Sequence, residues 1–358
     1  MPDTPAPWPF SPWPLIQAPM AGAQDERLAL AAGAAEALGS LPAAMLGPAA
    51  LEAALAPLRA AGRPFNVNFF AHRPPDDDPA GQQRWRDTLA PYAAEAGLST
   101  ADLQGGPVRR PFDAAMAEVL ESAMPAVVSF HFGLPAADLV ARLHARGAFI
   151  LSSATTPDEA RWLLARGVDG VIAQGLEAGG HRGHFLQADP QLQAPTLPLL
   201  RALKAALPAT LPVIAAGGLS VAADVAAAMA AGASAVQVGT AFLRCPEATT
   251  SALHRARLAD ADAPTALTTL FSGGLARGLV NRLMHDLGPV HPAAPPFPGA
   301  SAALAPLRAR AEAQGRDDFS PLWSGSARAG CRAVPAAEII AGLTPGFAPG
   351  FAPDAATP

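Results

Sequence analysis

The chain has 358 residues, half of them hydrophobic and only 15% charged, with a formal net charge of −5 at pH 7. Such a composition supplies one large core, carries too little charge for a disordered chain, and has no Lys/Arg cluster to act as a DNA or RNA footprint. Its two cysteines, Cys245 and Cys331, are too few for a disulfide framework and lie in no metal-ligand spacing, so a reducing cytoplasm is the expected compartment.

The opening, Met1–Pro9, repeats proline and has neither a basic start nor an uninterrupted apolar run. This predicts an extended arm over residues 1–13 rather than a signal peptide. Residues 1–12 and the Pro/Gly/Ala-rich end at 348–358 are expected to be dispensable for folding. From residue 14 onward, apolar runs alternate with Ala/Leu/Arg-rich ones. Strands are predicted at Leu15–Met20, Leu41–Met45, Phe65–Phe70, Ala126–Phe132, Phe149–Ser153, Gly170–Gln174, Pro212–Ala216 and Ala235–Gly239. Helices are predicted at Asp25–Leu38, Ala49–Ala61, Ala136–Arg146, Pro157–Arg166, Leu197–Leu207 and Ser220–Ala231. Ser220 suits an N-cap and Pro157 a first turn, and Gly147, Gly167 and Gly232 stand where helices need a left-handed stop.

Two stretches break the alternation. His72–Pro107 is polar and reads as an excursion with one helix over the barrel mouth or side; within it Asp76, Asp77 and Asp78, set among prolines, read as a solvated acidic turn rather than a metal site. After about residue 288 the chain is Pro/Ala-rich, with a helix-like run from Ser301 to Gln314 and an end expected to fray. No apolar run reaches the roughly 18 residues that a membrane span requires.

Eight strand candidates, each followed by a helix or an insertion, predict an α/β fold. The expected form is a (β/α)8 TIM barrel over residues 14–287, with an insertion at about 72–107 after the third strand and a C-terminal helical extension over 288–358. A doubly wound open sheet is the alternative, but no Gly-x-Gly-x-x-Gly turn follows the first strand. In a barrel, ligands gather at the C-terminal strand ends, where Met20, Asn68, His131, Gln174, Gly217, Gly218 and Gln237–Thr240 fall.

The segment Gly170–Gly183 reads as a buried strand entering a glycine-rich loop that carries one imidazole, His181. Glycines let backbone amides approach a flat or anionic ligand, and histidine titrates nearest neutral pH. Gly217, Gly218, Gly239 and Thr240, on the last two strands, can supply a phosphate grip. The bland alternatives are plain βα turns and a solvated imidazole. A phosphate site beside a histidine-bearing loop brackets a phosphorylated cofactor, and FMN has the right size and polarity. No metal is needed.

Gln17–Gly22, Val67–Phe70, Ser129–Gly133, Gln174–Gly183, Gly232–Leu243 and Ser272–Gly278 carry a resemblance. Over about residues 14–285 the chain resembles the nitronate monooxygenases, formerly 2-nitropropane dioxygenases, which are FMN-dependent TIM-barrel enzymes. The resemblance implies that His181 is the catalytic residue beside the flavin. It implies FMN contacts at Met20, Asn68, Gln174, Gly179, Gly217, Gly218, Gln237, Gly239 and Thr240. The Asn68 and Gln174 amides suit the polar edge of an isoalloxazine, and His131 reads as either a substrate-orienting or a structural imidazole. The implied reaction is oxidation of alkyl nitronates, extending to nitroalkanes, by O2 to a carbonyl compound and nitrite. His181 serves in it as base or as the partner of the bound nitronate. The expected partners are this small substrate and O2, with no nucleic acid and no membrane.

One departure stands out. Nitronate-oxidising relatives place tyrosines and a lysine from the C-terminal segment around the substrate, whereas Tyr92 is the only tyrosine here and Pro295–Gly299 has no phenol. Two other functions remain open: an NAD(P)H-dependent FMN reductase of enoyl thioesters or quinones, which shares the Glu-Ala-Gly-Gly-His loop, and a non-catalytic flavin-binding barrel.

Overall fold

A computed structural model describes residues 8–105, 109–187 and 189–348. The strands are β1 (Leu15–Gln17), β2 (Gly39–Pro42), β3 (Phe65–Phe70), β4 (Val127–His131), β5 (Phe149–Ala154), β6 (Gly170–Gln174), β7 (Gly180–His181), β8 (Val213–Ala216), β9 (Ala235–Val238), β10 (Thr265–Thr268) and β11 (Ala276–Leu279). The helices are α1 (Glu26–Ala34), α2 (Pro48–Ala60), α3 (Pro79–Glu95), α4 (Ala114–Ser122), α5 (Ala137–Ala145), α6 (Pro157–Leu164), α7 (Thr196–Ala206), α8 (Ala222–Ala230), α9 (Ala252–Ala259), α10 (Arg282–Leu287), α11 (Ser301–Ala313) and α12 (Ala336–Leu343).

Eight strands pair in parallel in the order β1-β9-β8-β6-β5-β4-β3-β2. A parallel bridge between Ile16 and Leu38, with the Gln17 amide donating to the Leu38 carbonyl at 2.9 Å, joins β1 to the start of β2 and closes the ring. The architecture is therefore the barrel and not the open sheet. The first strand is shorter than predicted. After Gln17 the chain turns, and the Met20 amide donates to Gln24 Oε1 at 3.0 Å instead of to a neighbouring strand.

Local signals account for most helix ends. Thr156 caps α6 ahead of Pro157, and Gly147, Gly167 and Gly232 follow their helices at φ 84°, 85° and 94°. Asp78, the last of the acidic triplet, caps α3 by accepting from the Gly81 amide at 2.8 Å. Ser220 does not cap α8 as predicted. Val221 holds the N-cap position, and Asp224 accepts from the amides of Ser220 and Val221 at 2.8 and 3.0 Å. The Ser220 hydroxyl instead accepts from the Gly330 amide at 2.6 Å.

The floor of the barrel is apolar, formed by Ile16, Leu38, Val127, Leu151, Ile172 and Ile214, and Trp8 packs onto it. Trp8 is only 8% exposed, and Phe10 lies edge-on to both Trp8 and Phe149, at 5.1 and 4.8 Å between centroids. Within the arm expected to be dispensable, residues 8 and 10 are therefore packed. An open barrel floor leaves apolar strand ends wet, and two aromatic rings of the Pro-rich arm cover them.

A second core lies apart from the barrel. It joins α3 of the insertion to Leu270, Phe271, Leu283, Leu304, Leu307 and Phe319. Trp85, wholly buried there, donates to the Ala300 carbonyl at 3.1 Å. Its members lie on both sides of residue 287, so the boundary drawn there from the sequence runs through one packed unit. Antiparallel β10-β11-β7 ties this unit to the barrel, with His181 opposite Ala276 and Gly180 opposite Arg277. Helix α12 folds back against α1 and α8. The expected frayed end, 349–358, lies outside the described residues.

Candidate active site

The C-terminal strand ends open into a cavity of about 440 Å³. Met20, Asn68, His131, Gln174, Gly179, His181, Gly217, Gly218, Gln237, Gly239 and Thr240, all assigned from the sequence, line this one cavity.

At one end stand Gly217 and Gly218, with φ of 111° and 69°, a conformation that glycine adopts without strain. A Cβ on Gly217 would lie 2.8 Å from the Ala178 nitrogen. Among the described residues, the amides of Gly217, Gly218, Gly239 and Thr240 donate to no protein acceptor. Four unanswered N–H groups on the adjacent ends of β8 and β9 form a nest suited to an anion. Gly179 has a different reason for its identity: a Cβ there would collide with the backbone of Ser324 and Gly325. The Thr240 hydroxyl accepts from the Gly325 amide at 2.9 Å.

The amides divide by role. Asn68 Nδ2 donates to the Ser129 carbonyl and hydroxyl at 3.2 and 2.9 Å, and its Oδ1 has no protein partner among the described residues. Gln237 Oε1 is buried and also lacks a partner among the described residues. Gln174 lines the cavity and also holds the loop. Its Nε2 donates to the His181 carbonyl at 2.9 Å and its Oε1 accepts from the Gly183 amide at 2.7 Å, so both ends of the amide engage the loop.

His181 sits at the other end, its ring among Phe70, Phe132, Phe297 and Trp323, whose centroids lie 5.1–6.2 Å away. Nε2 meets Ser272 Oγ at 2.8 Å, while Nδ1 has no partner among the described residues. Burial first, and the Arg109 guanidinium next, hold its pKa well below the usual 6.5, so the ring is neutral at pH 7. His131 Nε2 lies 3.1 Å from the His181 carbonyl and its Nδ1 lies 3.0 Å from Ser153 Oγ. A carbonyl only accepts, so Nε2 carries the proton and Nδ1 receives the serine hydroxyl. Burial pushes this ring down to about 4. Both ring nitrogens of His131 are thus engaged by protein groups at the cavity wall.

Sequence reasoning missed Arg109, Ser272, Phe297 and Trp323. Arg109 and Trp323 line the cavity; Arg109 donates to Ser301 Oγ at 3.3 Å, and no ion pair involves it among the described residues. Ser272 lay in a segment that carried the resemblance, but its contact with a residue 91 positions away leaves no local trace. Tyr92 is far from this chemistry, buried in the second core with its hydroxyl 3.3 Å from Asp286 Oδ2. The Pro295–Gly299 segment supplies the Phe297 ring to His181.

A closed (β/α)8 barrel whose strand ends open into one cavity, lined by a glycine nest and a neutral imidazole, has the architecture of a barrel enzyme. The family model described as nitronate monooxygenase matches residues 8–346. The nitronate monooxygenase of Pseudomonas aeruginosa is 42% identical over 339 residues, 91% of this chain and 94% of its own. That of Paraburkholderia phytofirmans is also 42% identical, covering 92% of this chain and 91% of its own. Among solved structures, the nitroalkane oxidase from Streptomyces ansochromogenes superposes with a TM-score of 0.85 at 37% identity, covering 94% of this chain and 95% of that one. FabK from Thermotoga maritima, at 24% identity and a TM-score of 0.69, covers 94% of this chain and 93% of its own and shares the fold. The chain belongs to the nitronate monooxygenase family and is an oxidoreductase. Among the described residues, no helix is long and apolar enough to cross a membrane.

Proposed function

We propose that this protein oxidises alkyl nitronates, and nitroalkanes by way of their nitronates, with O2 as oxidant and source of the carbonyl oxygen, yielding a carbonyl compound and nitrite. The observation that carries this reading is the presence, in one cavity, of a neutral histidine with an unpartnered ring nitrogen and a nest of unanswered backbone amides.

The residues fit FMN. The amides of Gly217, Gly218, Gly239 and Thr240 would hold the phosphate, and Asn68 Oδ1 and the orphaned Gln237 Oε1 would meet polar groups of the flavin. Met20 and Gly179 border the same space, whose volume is in the range of small-molecule sites. When bound, the flavin supplies the electron-accepting centre.

The chain's own groups do the rest. With Nε2–H donated to Ser272, His181 Nδ1 keeps a lone pair and takes the α-proton of a neutral nitroalkane. Its depressed pKa weakens it as a base but keeps it unprotonated, and the anion formed beside it stabilises the imidazolium. The rings of Phe70, Phe132, Phe297 and Trp323 exclude water from that transfer. Arg109 on the cavity wall favours an anionic substrate.

The test is His181→Asn. Flavin colour should survive, activity on neutral nitroethane should fall ~10²–10⁴-fold, and activity on preformed nitronate should fall less. Wild-type rates on both substrates would make the histidine structural. A wild type that consumes NADH and ignores nitro compounds would establish the reductase reading instead.

A further inference from the structure

We propose that Gln174 and Arg182 form a reciprocal clasp that positions the His181 imidazole, so that both are positioning residues for proton transfer. The Gln174 side chain, at the end of β6, holds the backbone on either side of residue 182: Nε2 donates to the His181 carbonyl at 2.9 Å and Oε1 accepts from the Gly183 amide at 2.7 Å. The Arg182 side chain runs the opposite way. Nη2 donates to the Gln174 carbonyl at 2.6 Å, Nη1 to the Gly175 carbonyl, and Nε to Gln193 Oε1 at 2.7 Å. Each residue's side chain thus secures the other's backbone, and the excursion of residues 175–180 is pinned at both ends.

Arg182 is wholly buried, and no ion pair involves it among the described residues. Burial lowers its guanidinium to about 10. The carboxylates of Glu177 and Glu159 act on it only from beyond ion-pair contact, so its burial is sustained chiefly by the hydrogen bonds it donates. The planar fork reaches acceptors spread around three nitrogens, whereas the three donors of an ammonium diverge from one atom and cannot span that spread. The His181 ring itself has one side-chain hydrogen bond, to Ser272, so its aim depends on where the backbone places its Cα.

The clasp rests on the reading of His181 as proton acceptor, and its test separates the two. Arg182→Met, Arg182→Lys, Gln174→Leu and the Arg182→Met/Gln174→Leu pair are compared as flavin-loaded enzymes on neutral nitroethane and on preformed ethyl nitronate. Histidine ring ¹⁵N spectra are recorded for each without substrate. Arg182→Met should lower kcat on nitroethane ~10²-fold, the usual effect of a small misplacement, with KM and nitronate turnover changing by less than about tenfold; Gln174→Leu, which also removes a side chain that lines the cavity, should lower kcat on nitroethane at least as much. The double variant should be no worse than the poorer single one, because both changes release the same loop. Arg182→Lys, which keeps the charge, should behave like Arg182→Met; it and Gln174→Leu decide the matter if the methionine variant does not fold. The His181 ring signals should shift or broaden in every variant. An unchanged ratio between the two substrates, additive losses, or a lysine variant at wild-type rate would overturn the clasp. If wild type turns over no nitro compound, the proposed function fails, and the clasp is then decided by the spectra: unmoved His181 signals overturn it.

Discussion

A carboxylate at residue 239 tests the anion nest directly. Gly239 has φ −117° and ψ −69°, outside the left-handed region, so replacing it introduces no glycine-specific strain. A Cβ there would lie 3.3 Å from the Ala18 Cβ and 3.7 Å from Met20 Sδ, which a shift of a few tenths of an ångström relieves. Gly239→Asn therefore reproduces the shape of Gly239→Asp without its charge. Two unit charges ~6 Å apart at an effective dielectric of ~20 repel by about 3 kcal/mol, and a phosphate carrying more than one charge makes this a lower bound. The aspartate variant should bind FMN more than ~100-fold more weakly than the asparagine variant. Flavin content after purification and fluorescence titration of apoprotein with FMN give the two values. Added salt should recover little of the difference, because a partly buried pair is poorly screened. An aspartate variant that binds within ~3-fold of the asparagine one, less than 1 kcal/mol, would place the phosphate elsewhere.

Other outcomes follow from the same structure. Trp8→Ala should destabilise the fold by about 3–5 kcal/mol, lowering Tm by roughly 5–10 °C, and an unchanged Tm would show that the barrel floor does not need its cover. His131 and His254 are both lowered by burial from 6.5 to about 4, so between those values the unfolded chain binds more protons than the folded one. Their contribution is complete above pH 6.5 and is lost on acidification toward pH 4, by at most ~3 kcal/mol per ring. Tm should fall across that window and His254→Asn should flatten the fall; a pH-independent Tm would contradict the assignment. Because His181 must be neutral to accept a proton, the acid limb of kcat/KM for nitroethane should lie well below pH 6.5, and a limb at or above 6.5 would exclude it as the base.

Much of this protein was legible in the sequence because its signals are local. Apolar runs mark β3 and β6 with the predicted ends, glycines at helix stops mark the turns, and in a parallel barrel every strand delivers its last residues to the same face. That geometry is why Met20, Asn68, His181 and Gly239, spread across more than half the chain, could be assigned to one site before any contact was known. The tertiary structure decided what each polar group does there. Gln174 lines the cavity as its place at the end of β6 predicts, but that its amide also holds the loop follows only from the returning backbone at His181 and Gly183 lying within its reach. Trp8 looked like part of a loose arm until the open barrel floor gave it a surface to cover. Ser272, Phe297 and Trp323 reach His181 from segments whose periodicity says nothing of it. Strand and turn identity depend on a residue's immediate neighbours, whereas hydrogen-bond partners and pKa values depend on groups brought together only when distant parts of the chain pack, and sequence spacing carries no record of those distances.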